Sequence, residues 1–270
     1  SAINFLNKFF PNQENQSLQK FISNFQNQYE NAEMPFLEVL DTETGIGYIG
    51  KDSSGVNLII DDLLIPSADT KLSSISWNIQ HEILNKKLLH SFKNNEYVLT
   101  FTDADLISIK KEQVDLPDSL PVMFRCIGNN KIYFQSCGGS SASNLLGRFA
   151  HGDTSIHHII KDINSHEQNL DQNKILAEIV HLPESRTGNI LFRPALREYE
   201  IPYLGKSAVE EEKQFQLHDL MISIKQNRIV LRSKKLNKEI IPRLSTAHNY
   251  SYNSLPVYQF LCDLQTQYYT

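Results

Sequence analysis

The sequence predicts an α+β fold of mixed helices and mostly antiparallel sheets. Apolar residues recur at helical spacing over 18–29 and over 156–163, which is typical of amphipathic helices. Residues 122–135 combine strand-forming residues with a central Gly128-Asn129-Asn130 turn, and this pattern predicts a β-hairpin. Because hairpins and helices are mixed along the chain and do not alternate as βαβ units, we favour α+β over a doubly wound parallel fold.

The first part of the chain is expected to be largely helical. Ser17 is the expected N-cap of a helix that ends before Pro35. Its apolar stripe consists of Leu18, Phe21, Ile22, Phe25 and Tyr29. A second helix is predicted over 75–92 and a strand over 97–101. Thr102 follows that strand and is expected to cap a further helix.

The second part of the chain is expected to combine strands with helices. The predicted elements are a hairpin (122–127 and 131–135), a helix (155–169), strands at 175–181, 227–233 and 239–241, and a final helix capped by Ser254. The buried face of the helix at 155–169 is expected to hold Ile156, Ile159, Ile160 and Ile163. Because Pro117–Pro121 breaks the chain, we divide it into a helical or mixed subdomain at 1–115 and an α+β subdomain at 116–270.

Composition narrows the possible classes of protein. A chain of 270 residues with 40% hydrophobic content can bury the cores of one large or two modest globular domains. It has no apolar run of the roughly 18 residues that a membrane-spanning helix needs, and no signal peptide, so we expect no membrane insertion. Three scattered cysteines predict a reducing, cytoplasmic setting. The spacing of the nine histidines matches no zinc site, so no metal is predicted.

An arginine-rich stretch lies in the second half of the chain. Between Arg186 and Arg243 there are 12 Lys and Arg residues against 7 Asp and Glu, a local charge of +5 in a chain of net charge −5. Planar guanidinium groups bind phosphates and carboxylates through paired hydrogen bonds. The stretch therefore favours an anionic partner, and the alternative is an exposed surface of ion pairs with neighbouring glutamates.

Several arginines of this stretch have a spacing that suits an RNA surface. Arg186, Arg193 and Arg197 bracket Asn189 and a proline, so their side chains could surround phosphates at a turn and a strand. The alternative is that they pair with nearby glutamates. Further along, Arg243, His248 and Asn249 could serve the same surface, although a histidine in a loop is more often a packed, hydrogen-bonded residue.

Two short turns are further candidates for binding. Gly138, Gly139, Ser140 and Ser141 could direct consecutive backbone N–H groups at an anion, and the alternative is a tight turn between a strand and a helix. This loop lacks the Gly-Lys-Ser/Thr ending of a nucleotide P-loop, so ATP binding is not predicted. Asp41 belongs to a carboxylate pair on another turn, where a capping role is the alternative.

Five long segments closely resemble the N-terminal, glutamylating region of lantibiotic dehydratases. They occur in the order of that family and cover almost the whole chain. The segments are FLEVLDTETGIGY (36–48), GGSSASNLLGRF (138–149), HLPESRTGNILFRPALREYEIPYLGK (181–206), QNRIVLRSKKLNKEIIPRLSTAHNYS (226–251) and LPVYQFLCDLQTQ (255–267).

The resemblance implies a specific reaction in lanthipeptide biosynthesis. Members of this bacterial family esterify Ser and Thr hydroxyls of a precursor peptide with glutamate from glutamyl-tRNA. A separate region then eliminates glutamate and leaves dehydroalanine or dehydrobutyrine, because a carboxylate leaves more readily than hydroxide. The implied co-substrate is glutamyl-tRNA, with no cofactor. The implied partners are the precursor peptide and the other domains of the parent enzyme, in the cytoplasm.

The resemblance also selects site residues and places the chain within a larger multidomain enzyme. Within the matched segments the candidate catalytic residues are Arg186 and Arg193, to which we add Asp41. The candidates for tRNA or glutamate are Arg148, Asn189, Arg197, Arg243 and His248, and the candidate anion nest is Gly138, Gly139, Ser140 and Ser141. A leader-binding element is expected upstream and the elimination region beyond Thr270, so this chain alone is expected to be inactive. The alternative is a non-catalytic module of the same fold that binds tRNA or peptide, or acts as a scaffold.

Overall fold

The computed structural model describes residues 2–10, 15–48, 77–109, 115–129, 131–181, 193–251 and 254–267. Within them the helices are α1 (Ala2–Phe9), α2 (Gln16–Tyr29), α3 (Phe36–Leu40), α4 (Ile79–Asn94), α5 (Thr154–Leu170) and α6 (Pro256–Leu264). The strands are β1 (Met34–Pro35), β2 (Val122–Cys126), β3 (Ile132–Cys137), β4 (Lys174–His181), β5 (Tyr199–Tyr203), β6 (Leu220–Lys225), β7 (Arg228–Ser233) and β8 (Glu239–Arg243). The predicted α+β class is confirmed.

The described residues form two compact units, which divide near residues 14, 55 and 115. The larger unit contains 15–48 together with 116–267, because α2 and β1 pack against strands from the second half of the chain. The predicted subdomains at 1–115 and 116–270 stay a prediction. No helix in the described part of the chain is both long and apolar enough to cross a membrane.

The smaller unit consists of α1, α4 and a 3₁₀ turn at Asp103–Leu106. Thr102 occupies the cap position, as predicted, and exchanges hydrogen bonds with Asp105, but the expected helix is this single 3₁₀ turn. The helix predicted over 75–92 begins at 79, where Asn78 accepts a hydrogen bond from the third backbone N–H. The strand predicted over 97–101 is wrong, because this largely exposed segment pairs with no other strand among the described residues.

The larger unit is built on a six-stranded mixed sheet with the order β1-β6-β7-β8-β4-β5. The pairs β1–β6, β6–β7 and β7–β8 are antiparallel, whereas β4 pairs in parallel with both β8 and β5. The predicted strands at 175–181, 227–233 and 239–241 are confirmed as β4, β7 and β8. The strands β2 and β3 form the predicted hairpin as a separate antiparallel pair.

Helices α2, α3 and α6 pack on one face of the large sheet and enclose the main core with it. The predicted apolar stripe of α2 lies in this core, but its N-cap is Asn15 and not Ser17, since the Asn15 side chain accepts the first backbone N–H groups. Leu255, and not Ser254, occupies the N-cap of α6, with Pro256 in the first turn. Ser254 makes no side-chain cap there.

Helix α5 packs on β4, and its buried face differs in part from the prediction. Ile160 is buried as expected, but Ile159 is 50% exposed. Asn164 and Glu167 occupy the buried positions one and two turns beyond Ile160. Polar groups therefore face the sheet on this side of the unit.

Candidate functional site

A buried polar network connects α5 with the loops on either side of the β2–β3 hairpin. The carboxylate of Glu167 accepts hydrogen bonds from Ser119 Oγ and, at 2.6 Å, from Ser141 Oγ. Its other oxygen lies 2.7 Å from Arg197 Nη2, which is also 3.4 Å from Ser141 Oγ. The side chains of Arg197 and Glu167 are only 3% and 1% exposed, so this ion pair is fully desolvated.

A second carboxylate, Glu178 on β4, extends the network. Its two oxygens accept from Ser245 N and Ser245 Oγ, each at 2.7 Å. Arg193 Nη2 lies 2.8 Å from Glu178 Oε1 and donates to Ile179 O at 2.8 Å. Arg197 Nε is 3.7 Å from Glu178 Oε2. Two guanidinium groups thus face two carboxylates, and the four formal charges balance.

Local structure explains why the two glutamates point inward. The Asp153 side chain caps α5 by accepting from two backbone N–H groups, which fixes where the helix starts. Its period then places Ile160, Asn164 and Glu167 on one face. In β4 alternate residues face opposite sides, so Glu178 points away from the core that its neighbours enter.

The ion pair controls the ionisation of Glu167. Burial by itself raises the pKa of this carboxyl group. The charge of Arg197 and the hydrogen bonds from Ser119 and Ser141 act in the opposite direction and hold the pKa below its usual 4.5. Glu167 is therefore a carboxylate in the folded protein.

We expect the network to lose stability in acid. Because the pKa of Glu167 is lower in the folded than in the unfolded chain, its contribution is present above about pH 4.5 and is lost as the pH falls below that value. The difference in free energy of unfolding between wild type and Glu167→Gln should therefore shrink from about pH 6 to about pH 3.5. Urea unfolding at both pH values measures it. A difference independent of pH would contradict the assignment.

The predicted Gly138–Ser141 loop meets this network. Gly139 has φ of +103°, a conformation that favours glycine. Ser141 is fully buried, caps the following 3₁₀ turn and donates to Glu167. The anion beside this loop is thus a carboxylate of the chain itself. Its role as a nest for an external anion stays a prediction.

Arg243 lies at the end of β8 and is 1% exposed. Its Nη1 donates to Gln265 O at 3.0 Å, and the Gln265 side chain accepts from Ser140 Oγ at 2.8 Å. These contacts connect the Gly138–Ser141 loop to Gln265, the residue that follows α6. Contact of Arg243 with tRNA or glutamate stays a prediction, and the contacts described here are internal.

His248 belongs to a stack of rings at the carboxyl end of β4 and β5. Its Nδ1 lies 3.0 Å from Tyr258 OH, and the Tyr258 ring stacks on His181 with 4.2 Å between centroids. His181 Nδ1 is 3.1 Å from the carbonyl of Tyr203, so that nitrogen carries the proton. His248 is therefore a packed, hydrogen-bonded residue, which is the alternative given for it above. A binding role for it stays a prediction.

Two other predicted residues lie outside this network. Arg148 is exposed, and its guanidinium carbon is 4.5 Å from the centre of the Phe149 ring. Asp41 accepts the backbone N–H groups of Thr44 and Glu43 at 2.7 and 2.8 Å, and these bonds lower the pKa of Asp41. Asp41 therefore caps its turn, which is the alternative to a binding role given above. The catalytic role of Asp41 stays a prediction.

Four of the five described arginines of the arginine-rich stretch form ion pairs within the chain. Arg186 and Asn189 lie outside the described residues. Among the described ones, Arg193 and Arg197 pair with carboxylates in the network. Two further arginines, both on β7, form ion pairs with glutamates. These pairs are Arg228 with Glu239 and Arg232 with Glu33.

An open groove of about 540 Å³ runs beside α5 and reaches the network. Arg197 and Asn164 contribute to its lining, and both are buried. Lys161 lies on α5, and Lys213, whose Nζ is 3.1 Å from Glu198 Oε1, also lines the groove. The volume is within the range of small-molecule sites, and the polar lining suits a charged ligand.

Sequence reasoning did not select the two glutamates at the centre of the network. A signal was present, because Glu178 is the only charged residue in the apolar run 175–180 and an ionised residue in a buried strand needs a partner. Glu167 follows the buried Ile160 by seven residues on α5. Among the described residues, no group of three or more His, Cys, Asp or Glu could hold a metal ion.

Comparison with known proteins identifies the relatives of this chain. The subtilin biosynthesis protein SpaB of Bacillus subtilis is 25% identical over 244 residues, which cover 88% of this chain and 23% of SpaB. The crystal structure of the tRNA-dependent lantibiotic dehydratase MibB from Microbispora sp. 107891 matches with a TM-score of 0.76 and 16% identity. That match covers 99% of this chain and 26% of MibB.

A second structural relative is the glutamylation domain TbtB from thiomuracin biosynthesis, with a TM-score of 0.50 and 14% identity over 99% of this chain and 33% of that one. The chain thus spans about a quarter of SpaB and of MibB and a third of TbtB. Residues 1–270 match the family described as lantibiotic dehydratase, N terminus. The chain therefore belongs to the N-terminal family of lantibiotic dehydratases.

Proposed function

We propose that this chain is part of a dehydratase that glutamylates Ser and Thr of a precursor peptide with glutamyl-tRNA, before glutamate is eliminated. The observation that carries the proposal is the family match over the whole chain. It is supported by relatives described as a tRNA-dependent dehydratase and as a glutamylation domain. The proposed enzyme works in the cytoplasm, where charged tRNA is available.

The geometry supports binding and orientation as the contribution of this chain. The aminoacyl ester of glutamyl-tRNA is already activated, so its transfer to a hydroxyl depends mainly on holding the two reactants together. The network fixes Arg197 between two buried carboxylates at the side of the groove. Lys161 places positive charge along the groove, where a glutamyl carboxylate could bind, whereas Lys213 there is paired with Glu198.

We expect Arg148 to test the contact with tRNA, because its exposed side chain can be changed without removing a buried ion pair. In the full-length dehydratase, Arg148→Gln should weaken binding of glutamyl-tRNA and reduce the slope of log affinity against log salt by about one. The peptide should also gain glutamate more slowly. Filter binding at several salt concentrations and mass spectrometry of the precursor peptide measure the two effects.

The matched control is Lys86→Gln, which removes a positive charge that is 73% exposed and paired with Glu82 on the same helix. It should leave the salt slope and the rate unchanged. An Arg148→Gln enzyme with the same slope as wild type would contradict a phosphate contact at this position. Loss of glutamylation with unchanged tRNA binding would instead place the defect in peptide binding or transfer.

The alternative is a non-catalytic module of the same fold. A full-length enzyme that binds glutamyl-tRNA and precursor peptide but never adds glutamate would favour it. We also expect the 270-residue chain by itself to leave the peptide unmodified. A gain of glutamate or a loss of water in the presence of charged tRNA would show that this chain is sufficient.

A further inference from the structure

The β2–β3 hairpin exposes an unusual amount of apolar surface. Within the described residues its two strands pair only with each other. The exposed fractions of its large apolar residues are high. They are 48% for Met123, 53% for Phe124, 62% for Ile127, 58% for Ile132 and 57% for Tyr133. Exposed apolar clusters mark interaction sites, and the register of the strands decides which of these residues cluster.

Strand register shows which side chains share a face. Phe124 pairs with Phe134, and Cys126 pairs with Ile132, so these four side chains lie on one face of the hairpin. We call them the hairpin face. Cys126 is a free, exposed thiol within it. The opposite face carries the Arg125–Tyr133 pair.

A two-stranded hairpin is at best marginally stable in water when neither face is covered. Here the hairpin is held at its base, where β3 leads into the buried Ser140 and Ser141. Beyond this base, most residues of the two strands are exposed in the described part of the chain. A surface that covers the hairpin face would remove its apolar side chains from water and stabilise the pairing.

We propose that another region of the dehydratase covers the hairpin face, with apolar side chains at its centre and carboxylates at its rim. The chain spans only 26% of MibB while matching its fold over 99% of its own length, so the relatives hold much additional polypeptide. Lys131 adjoins Ile132 of the hairpin face, and residues 121–137 include no Asp or Glu, so an acidic rim is complementary. This inference rests on the proposed membership of a longer enzyme.

Alkylation of Cys126 tests the proposal directly. In a Cys137→Ser background the other cysteine of these 270 residues, Cys262, is fully buried and should not react. We expect a maleimide to modify Cys126 at least about tenfold more slowly in the full-length dehydratase than in the 270-residue chain. The thiol can react only in the fraction of molecules in which the covering region has moved away from the hairpin face. In the full-length enzyme, Ile132→Asp should restore fast labelling. The matched control Ile159→Asp, on the exposed side of α5, should not.

Each other outcome overturns the inference. Equal labelling rates in the two proteins would show that the hairpin face stays open. Protection that grows with the concentration of the 270-residue chain would assign the face to a second copy. Protection that requires added precursor peptide would assign it to the substrate. The labelling rate does not depend on glutamate transfer, so failure here is distinct from failure of the proposed function.

Discussion

Replacement of Arg197 by methionine is expected to lower the free energy of unfolding by about 3–5 kcal/mol. The guanidinium lies between Glu167 and Glu178, and all three side chains are at most 3% exposed. Its loss would leave two buried carboxylates, of which only Glu178 keeps another arginine, Arg193. Urea unfolding followed by circular dichroism measures the change.

The matched control is Arg232→Met, which removes an ion pair with Glu33 whose side chains are 25% and 31% exposed. Exposed pairs contribute about 0–1 kcal/mol, so this variant should stay close to wild type. Equal losses in the two variants would contradict a structural role for the network. Adding Glu167→Gln to Arg197→Met should recover part of the loss, because it removes one unpaired charge.

Replacement of Gly147 by alanine is expected to destabilise the protein by about 3 kcal/mol. A Cβ at this position would lie 1.7 Å from Ser245 O and 2.7 Å from Ser245 C, so the backbone of Ser245 must move. That movement would also disturb the two hydrogen bonds from Ser245 to Glu178. Thermal and urea unfolding measure the combined effect.

Gly152→Ala is the matched control for this glycine. Its new Cβ would meet only Phe149 O, at 3.9 Å, which is ordinary contact. The stability of this variant should remain within about 0.5 kcal/mol of wild type. If Gly147→Ala were equally mild, the close approach of residues 147 and 245 would not be a rigid feature of the fold.

Local sequence signals predict the elements whose own residues determine their structure. The Gly128–Asn130 turn indicates the hairpin, and the apolar stripe of α2 indicates its buried face. The extended segment at Tyr97–Phe101 shows the limit of such signals. Tyr97 has strand-forming character but is fully exposed, and no described strand pairs with it, so tertiary contacts decide its structure.

The expected elements do not include β5 or β6. In β5, Glu200 and Pro202 argue against a strand, yet β5 lies at the edge of the sheet, where proline is tolerated. The parallel pairing of β4 with β5 and β8 joins residues far apart in sequence, which local patterns do not report.

The candidate site was also predicted only in part, because its contacts join residues that are far apart in sequence. Arg193, Arg197 and Ser141 were selected, and the structure brings them together. The carboxylates that hold them, Glu167 and Glu178, lie 26 and 67 residues from their serine partners. Only the tertiary fold shows that these arginines are neutralised inside the protein.

The antiparallel contact of β1 with β6 has a consequence for synthesis on the ribosome. Met34 pairs with Ile222, and Tyr48 donates a hydrogen bond to Asp263 of α6, 215 residues later. The apolar faces of α2 and α3 therefore remain uncovered on the nascent chain until β6 has emerged, and incompletely covered until α6 follows. Contacts so distant in sequence slow folding, and they expose this apolar surface to chaperones throughout translation of the region.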